Sequence, residues 1–225
     1  MTFISFVAGV LAWLFLAPQA PAQQRFDYQV RGDFFAGMAG DEARLQKAKT
    51  LCEETLVSNP NHPEALVWHG SILLFEAGRA FEKGDFSNGG QLFRRAIQEM
   101  NDAVALAPDN PGVLIPRAAV LLEGTRTMAP DMAKPLIESA VANYEHVLEI
   151  QKTDWPTLGD HGKGELLFGL AEGEARLGRQ DKAREYFERL LKDAPTSGQA
   201  PRAKAWLDTG TVPKASGLGC AGCHK

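Results

Sequence analysis

The chain has 225 residues, of which 44% are hydrophobic and 23% charged, a composition typical of a globular protein that excludes disorder along the whole length. Its formal net charge of −4 at pH 7 gives no basic surplus of the kind that binds nucleic acid or anionic membranes. We therefore expect no nucleic-acid partner.

The first residues form an apolar run that ends in small residues. Residues 3–17 are largely apolar, and alanine and proline at 20–22 precede Gln23. This layout predicts a signal peptide over residues 1–22, although no Lys or Arg precedes the run. A retained membrane anchor is the alternative, but the run is shorter than the roughly 20 apolar residues that cross a bilayer. We expect a mature chain without a membrane span, located in the periplasm or otherwise exported.

One pattern occurs four times in the middle of the chain. A small residue is followed by a larger one four positions later. Another apolar or small residue comes three positions after the larger one, and a residue that ends the helix comes five positions after that. The four sets are Ala48, Cys52, Thr55 and Pro60; Ala96, Met100, Ala103 and Pro108; Ala140, Tyr144, Val147 and Lys152; and Ala183, Phe187, Leu190 and Pro195. Steps of four and three keep these side chains on one helix face. Each set predicts the second helix of a helical hairpin.

A first helix is predicted before each of these. Pro63 and Pro111 suit the first helical position, where the missing N–H would have no partner, and His62 and Asn110 precede them as caps. In the fourth unit the two helices are joined by a short turn at Gly178, which can adopt the left-handed conformation at a helix end. Such a short turn predicts an antiparallel pair.

The residues at these positions give the chain its resemblance to the tetratricopeptide repeat family. They are Ala171, Gly178, Ala183, Phe187, Leu190 and Pro195 in the fourth unit, and Gly70, Ala96, Met100, Ala103 and Pro108 in the second. The resemblance implies an all-α solenoid of antiparallel helical hairpins over residues 23–197. The spacing between repeat alanines exceeds the family period of about 34 residues. We therefore expect longer helices or inserted loops around residues 82–90 and 123–135.

The last part of the chain divides into a helix and a tail. Ala200, Ala203 and Leu207 share one side of a helix predicted over residues 198–210, which we expect to cap the final hairpin. Residues 211–225 begin rich in glycine and poor in large apolar side chains, which predicts a flexible linker and tail.

The tail contains Cys220-Ala221-Gly222-Cys223-His224, the C-x-x-C-H sequence that attaches c-type haem. Cysteines at this spacing can add to the two vinyl groups of one haem, and the adjacent histidine can ligate its iron. By resemblance to c-type cytochromes, Cys220 and Cys223 are the covalent attachment residues of one haem c and His224 is the proximal iron ligand. A disulfide, another metal site or a chance occurrence are the alternatives. Structural zinc fits poorly because no second ligand cluster lies nearby.

A sixth iron ligand, if there is one, has to come from the helical array or from another chain, since only Lys225 follows the motif in this sequence. The candidates are His62, His69, His146, His161, Met100, Met128 and Met132. We expect Met100 and His69 to serve in packing. His161 falls in a segment predicted to be a loop, so it is the distal candidate. A five-coordinate iron is the alternative.

These observations predict an exported monohaem c-type cytochrome that transfers electrons and uses its helical array to dock a redox partner or an envelope protein. The alternative is an interaction module of the cell envelope without a redox role. A haem-based enzyme or sensor with an open coordination site is a third reading. The sequence contains no paired carboxylates, nucleophile motif or phosphate-binding loop, so we expect no enzyme. Cys52 lies on a predicted packing face, where we expect a buried thiol.

Overall fold

The computed structural model describes residues 25–211, which form nine α-helices and one short 3-10 turn. The α-helices are α1 (Phe26–Met38), α2 (Glu42–Ser58), α3 (Pro63–Glu82), α4 (Phe86–Leu106), α5 (Pro111–Gly124), α6 (Pro130–Ile150), α7 (Asp160–Arg176), α8 (Gln180–Asp193) and α9 (Ala200–Thr209). The 3-10 turn is Trp155–Thr157. The predicted signal peptide and the haem motif lie outside the described residues.

The helices pair in chain order as four antiparallel hairpins. Each of α1, α3, α5 and α7 packs against the helix that follows it, and these four first helices also pack on one another in sequence. No strand occurs between residues 25 and 211. The prediction of an all-α solenoid of the tetratricopeptide type is therefore confirmed for this part of the chain.

The second helices bury the faces that their spacing predicts. Ala96, Met100 and Ala103 of α4 are fully buried, and so are Phe187 and Leu190 of α8. Ridges of side chains three and four positions apart are the surfaces by which helices pack, so the repeat pattern directly marks the hairpin contacts.

The predicted helix ends are also present. Nδ1 of His62 accepts a hydrogen bond from the Ala65 N–H at 3.1 Å, which caps α3, and the Asn110 side chain accepts from the Gly112 N–H at 2.8 Å, which caps α5. Gly178 has φ +79°, so the turn between α7 and α8 uses the conformation that glycine tolerates best.

The extra length of the second and third units lies mainly in longer helices. α3, α4 and α6 have 20, 21 and 21 residues. Residues 86–90, expected within the inserted region, form the start of α4, because the Asp85 side chain accepts a hydrogen bond from the Asn88 N–H and caps the helix there. Only residues 83–85 separate α3 from α4.

The terminal helix α9 lies within the predicted range and packs against α8. Its buried face differs in one position from the prediction. Trp206 is buried, with its ring centroid 4.7 Å from that of Phe187, whereas Leu207 is only half-buried. Trp206 continues the face of Ala203 three positions on, so the larger side chain covers the end of the core.

Candidate functional site

The first helices of the four hairpins line a groove with a cavity volume of about 300 Å³, which we call the first-helix groove. Most of its large apolar lining residues belong to α1, α3, α5 and α7: Tyr28, Phe35, Trp68, Ile115, Leu122 and Phe168, with Tyr144 of α6 beside them. Because these four helices pack side by side, each hairpin contributes to one continuous surface. Concave surfaces of this kind are the binding surfaces of helical-repeat proteins.

One charged pair lies at the α1 side of the groove. The Asp27 carboxylate is 3.4 Å from an Arg31 nitrogen, and the carboxylate is much less exposed, at 10% against 35%. Burial raises the pKa of Asp27 above the usual carboxyl range, and Arg31 and Arg25 offset only part of that effect. The Arg31 guanidinium also lies 4.4 Å from the centroid of the Tyr28 ring.

A second charged cluster joins the turn after α5 to side chains of α7 and α9. Glu172, whose side chain is 6% exposed, is 2.6 Å from an Arg126 nitrogen and 4.0 Å from an Arg202 nitrogen. Burial acts to lower the pKa of Arg126, but the neighbouring Glu172 and Glu123 outweigh it, and the pKa is raised. The Arg202 guanidinium lies 4.2 Å from the centroid of the Phe168 ring.

In both clusters the carboxylate is more deeply buried than the arginine that it pairs with. The Asp27 and Glu172 carboxylates are almost buried, while Arg31 and Arg126 are 35% and 40% exposed. Of the large apolar side chains in the groove, Trp68, Leu122 and Phe168 are buried, so its accessible apolar surface comes mainly from Tyr28, Phe35 and Ile115, beside guanidinium groups that reach solvent.

His161 lines the same groove. It belongs to the first turn of α7, so the expectation that it lies in a loop is wrong. The flanking glycines suggested a loop, but Gly159 occupies the N-cap and Asp160 favours the helix start electrostatically. The His161 side chain is 53% exposed, and its Nε2 is 3.4 Å from Oε1 of Glu165.

The other candidate ligands lie away from this groove. His69 is buried, with Nδ1 2.6 Å from a Glu99 carboxylate oxygen, and Met100 is fully buried in the core. Both packing expectations are confirmed. His62, His146, Met128 and Met132 do not line the groove.

Cys52 is a buried core residue, as its repeat position predicts. Burial raises the pKa of its thiol far above the usual range, and the negative charges of Glu99 and Glu53 raise it further. A thiol in this environment stays protonated and is a poor nucleophile or metal ligand.

The residues assigned to haem attachment and proximal ligation, Cys220, Cys223 and His224, lie outside the described residues, so these assignments stay predictions. Between residues 25 and 211 there is no group of three or more His, Cys, Asp or Glu side chains placed to hold a metal ion. No helix in this described range is long and apolar enough to cross a membrane.

The hairpins and their shared groove define a helical-repeat protein, a class that provides scaffolds for binding other proteins. The tetratricopeptide repeat family matches residues 165–197, which contain most of α7 and all of α8. The match coincides with the fourth unit, where the sequence pattern is most complete. No curated protein matches the chain.

The charged residues of the groove were not predicted. A single signal could have pointed to Glu172, a carboxylate in a stretch of α7 whose neighbours are leucine, alanine and glycine and which is buried throughout. Its partner Arg126 lies 46 positions earlier, in the turn after α5. Pairings of this kind depend on how hairpins stack, which periodicity within one helix does not reveal.

Proposed function

We propose that this chain is an exported monohaem c-type cytochrome whose helical array docks protein partners. The observation that carries the proposal is the C-x-x-C-H sequence at residues 220–224 on a chain that otherwise forms a repeat scaffold. The apolar segment over residues 1–22 supports export to a compartment where such a haem can be attached.

In this proposal the Cys220 and Cys223 thiols each add across one vinyl group, an addition that consumes no oxidant, and His224 ligates the iron. When bound, the haem c would supply one-electron chemistry between a reduced and an oxidised protein partner. The array contributes the surface on which those partners dock.

The test is expression of the full chain in a bacterial host that carries the haem c maturation machinery. We expect a coloured product whose haem survives acid–acetone extraction and whose mass exceeds that of the mature polypeptide by one haem. Cys220→Ala and Cys223→Ala should each lose normal attachment. Cys52→Ala is the matched control, because its buried thiol is not part of the motif, and it should keep the haem.

The alternative function is an envelope interaction module without redox chemistry. The family match over residues 165–197 and the groove favour it, because both are features of protein-binding repeat scaffolds. A colourless product of unmodified mass from the maturing host would contradict the cytochrome proposal and leave this module.

A further inference from the structure

We propose that protonation of His69 strengthens the contact between the first and second hairpins, so that the array is held more firmly closed there as pH falls. The contact is formed by Cys52 and Glu53 of α2 and His69 of α3, and we call it the α2–α3 junction. The proposal does not depend on a haem, since every residue that carries it belongs to the described helices.

His69 is a buried histidine that lies between carboxylates of two different helices. Its side chain is 1% exposed, and its Nδ1 is 2.6 Å from Oε2 of Glu99 on α4. On the other side of the ring, Nε2 is 3.7 Å from Oε1 of Glu53 on α2, and this nitrogen is buried without a hydrogen-bond partner. The Glu99 contact therefore lies within the second hairpin, whereas the Glu53 contact reaches the first.

A neutral ring can satisfy only one of these two contacts. With its single proton on Nδ1, His69 donates to Glu99, and the lone pair of Nε2 is left beside the second carboxylate. A buried acceptor without a donor costs free energy, and a nearby carboxylate cannot supply one. A second proton makes Nε2 a donor and the ring a cation, so the same approach to Glu53 becomes an ion pair across the junction.

The Glu99 side of the ring is held in place by other contacts. Nε of Arg95 donates to the second oxygen of Glu99 at 2.8 Å. A Cβ on Gly70 would lie 2.8 Å from Cγ of Met100, so α3 and α4 pack closely beside the ring. Glu53, by contrast, is 48% exposed. A change in the charge of the ring therefore acts mainly on the position of α2 against α3.

Cys52 shows independently that negative charge from both helices reaches this junction. It precedes Glu53 and is fully buried. Burial raises the pKa of its thiol, and the charges of Glu99 and Glu53 raise it further. Two carboxylates from separate helices thus act on one buried point, which is an environment that favours a positively charged ring.

Two further ion pairs join α2 to α3, and neither contains a histidine. Lys49 pairs with Glu76 at 2.9 Å, and Glu42 pairs with Arg79. Histidine is the side chain that ordinarily changes charge between pH 5 and pH 8. The pH dependence that we assign to this junction therefore comes from His69.

The helices on the other sides of α3 also carry charged groups. On α5, Arg117 donates a hydrogen bond to Asn101 of α4. On α1, burial raises the pKa of Asp27, which lies beside Trp68, so this carboxyl also takes up a proton more readily as pH falls. The test therefore compares variants that all keep Asp27, so that its contribution is the same in each.

The α2–α3 junction bears on the first-helix groove. Trp68, the neighbour of His69, lines this groove, and its ring centroid lies 5.3 Å from that of Phe34 and 6.2 Å from that of Phe35 on α1. Because α1 belongs to the first hairpin, the contact of that hairpin with α3 helps to set the spacing of these groove walls. A proton that is bound more tightly when the junction is closed favours the closed arrangement as pH falls and is lost as pH rises.

The test measures how often the junction opens, with the Cys52 thiol as the reporter. The full chain reacts with a thiol reagent at pH 6 and pH 8, and the rate at Cys52, located by peptide mass mapping, is divided by its rate in the unfolded chain at the same pH. This ratio gives the fraction of time that the site is open. We expect opening to be about three- to tenfold rarer at pH 6, an effect limited by the partial exposure of Glu53.

Glu53→Gln and His69→Gln should each lose most of this pH dependence, because the first removes the charged partner and the second the titrating ring. Glu54→Gln is the matched control: it makes the same charge change at the next exposed position of α2 and should behave as the parent does. If His69→Gln does not fold, Glu53→Gln still decides, since position 53 is exposed.

Nitrogen NMR of histidine-labelled protein, assigned with the variants, should show both ring nitrogens of His69 protonated at pH 6. A single protonated nitrogen at that pH, equal opening of the parent at pH 6 and pH 8, or an unchanged pH dependence in Glu53→Gln would each overturn the proposal. Absence of a haem from the matured chain would contradict the proposed function and leave this test unaffected.

Discussion

Two aspartates on α1 have pKa values shifted in opposite directions, so their charges have opposite effects on stability. Asp27 and Asp33 are equally buried, at 7% exposure each. Burial raises the pKa of Asp27 and its arginine neighbours offset only part of it. At Asp33 burial acts in the same direction, but hydrogen bonds from Lys47 and Arg44 outweigh it and lower the pKa. The ionised carboxylate therefore costs stability at position 27 and contributes stability at position 33.

We predict that Asp27→Asn raises the melting temperature at pH 7 by about 1–3 °C. The folded protein disfavours the ionised form, and asparagine removes that charge. The advantage over the parent should shrink as pH falls toward about 4, where the parent carboxyl becomes protonated as well. Thermal unfolding followed by circular dichroism between pH 4 and pH 7 measures this. Equal stability loss in Asp27→Asn at every pH would contradict the prediction.

For Asp33→Asn the sign is reversed. The variant should be less stable at pH 7 by about 1–2 kcal/mol, because Arg44 at 2.7 Å and Lys47 at 2.9 Å lose a charged acceptor. The loss is no larger because both cations are substantially exposed and solvent screens the pairs. The loss should disappear as pH falls through the lowered pKa of Asp33, where the parent also loses the charge. The same melting series tests it, and a pH-independent difference would show that the charge is not responsible.

Counting the reactive thiols of the protein tests whether Cys220 and Cys223 are free, because Cys52 is the only other cysteine in the sequence. We predict that the matured native protein shows no rapid reaction with a thiol reagent, and that unfolding exposes one thiol, that of Cys52. Burial and a raised pKa protect Cys52 in the folded state. If the tail cysteines were free, two thiols would react in the native protein. A disulfide between them would add two thiols after reduction, whereas thioethers add none.

At the scale of helices, the sequence predicts packing faces well because alanine and larger side chains alternate in steps of four and three. The faces of α4 and α8 follow directly. Helix starts within glycine-rich segments are harder to predict. Residues 86–90 and the turn around His161 both contain glycine, yet a capping aspartate at position 85 and an aspartate at position 160 begin helices there. In both places the helix start and tertiary packing outweigh intrinsic propensity.

Close helix contacts give a test of the hairpin geometry. A Cβ on Gly169 of α7 would lie 2.4 Å from the ring of Tyr144 on α6, which is buried and has little room to move. We predict that Gly169→Ala lowers the free energy of unfolding by about 1–3 kcal/mol, measured by urea denaturation, because overpacking outweighs the gain in helix propensity.

The matched control is Gly78→Ala in α3. A Cβ there meets no atom within 4 Å, so the variant should be neutral or gain up to about 1 kcal/mol from helix propensity. Equal effects of the two substitutions would show that α6 and α7 do not pack as closely as described.

At the scale of the whole molecule, buried polar side chains tie neighbouring hairpins together. Arg117 of α5 is 8% exposed and donates hydrogen bonds to Asn101 of α4 at 2.7 Å and to Ser139 of α6 at 2.9 Å. Arg126 and Glu172 connect the third and fourth hairpins in the same way. The contacts of Arg117 with Asn101 and of Arg126 with Glu172 join residues from different repeats, so a pattern that describes one hairpin cannot predict them. The hairpins could be predicted from the sequence, and so could His161 as a candidate ligand. The charged groove that His161 lines could not.

The apolar core is divided into two clusters, and the terminal helix α9 contributes only to the smaller one. A large cluster runs from α1 to α7, and a smaller one joins α7, α8 and α9 around Phe168, Phe187 and Trp206. α7 contributes to both, through Leu166 and Leu170 on the first and Phe168 on the second. In repeat arrays each unit is stabilised chiefly by its neighbours, so the end of the array depends on its last contacts.

We therefore predict that Trp206→Ala weakens the carboxyl-terminal end more than the rest of the molecule. Removing this side chain exposes Phe187 and should cost about 3–5 kcal/mol locally. Hydrogen exchange measured by mass spectrometry should show faster exchange in α8 and α9, with α3 and α4 little changed. Leu207→Ala, the neighbouring half-buried position, should cost about 1 kcal/mol and serves as the control. Uniformly faster exchange in all helices would mean that the chain unfolds as one cooperative unit. Confinement of the effect to α8 and α9 would mean that the helix leading into the tail can loosen while the first three hairpins stay folded.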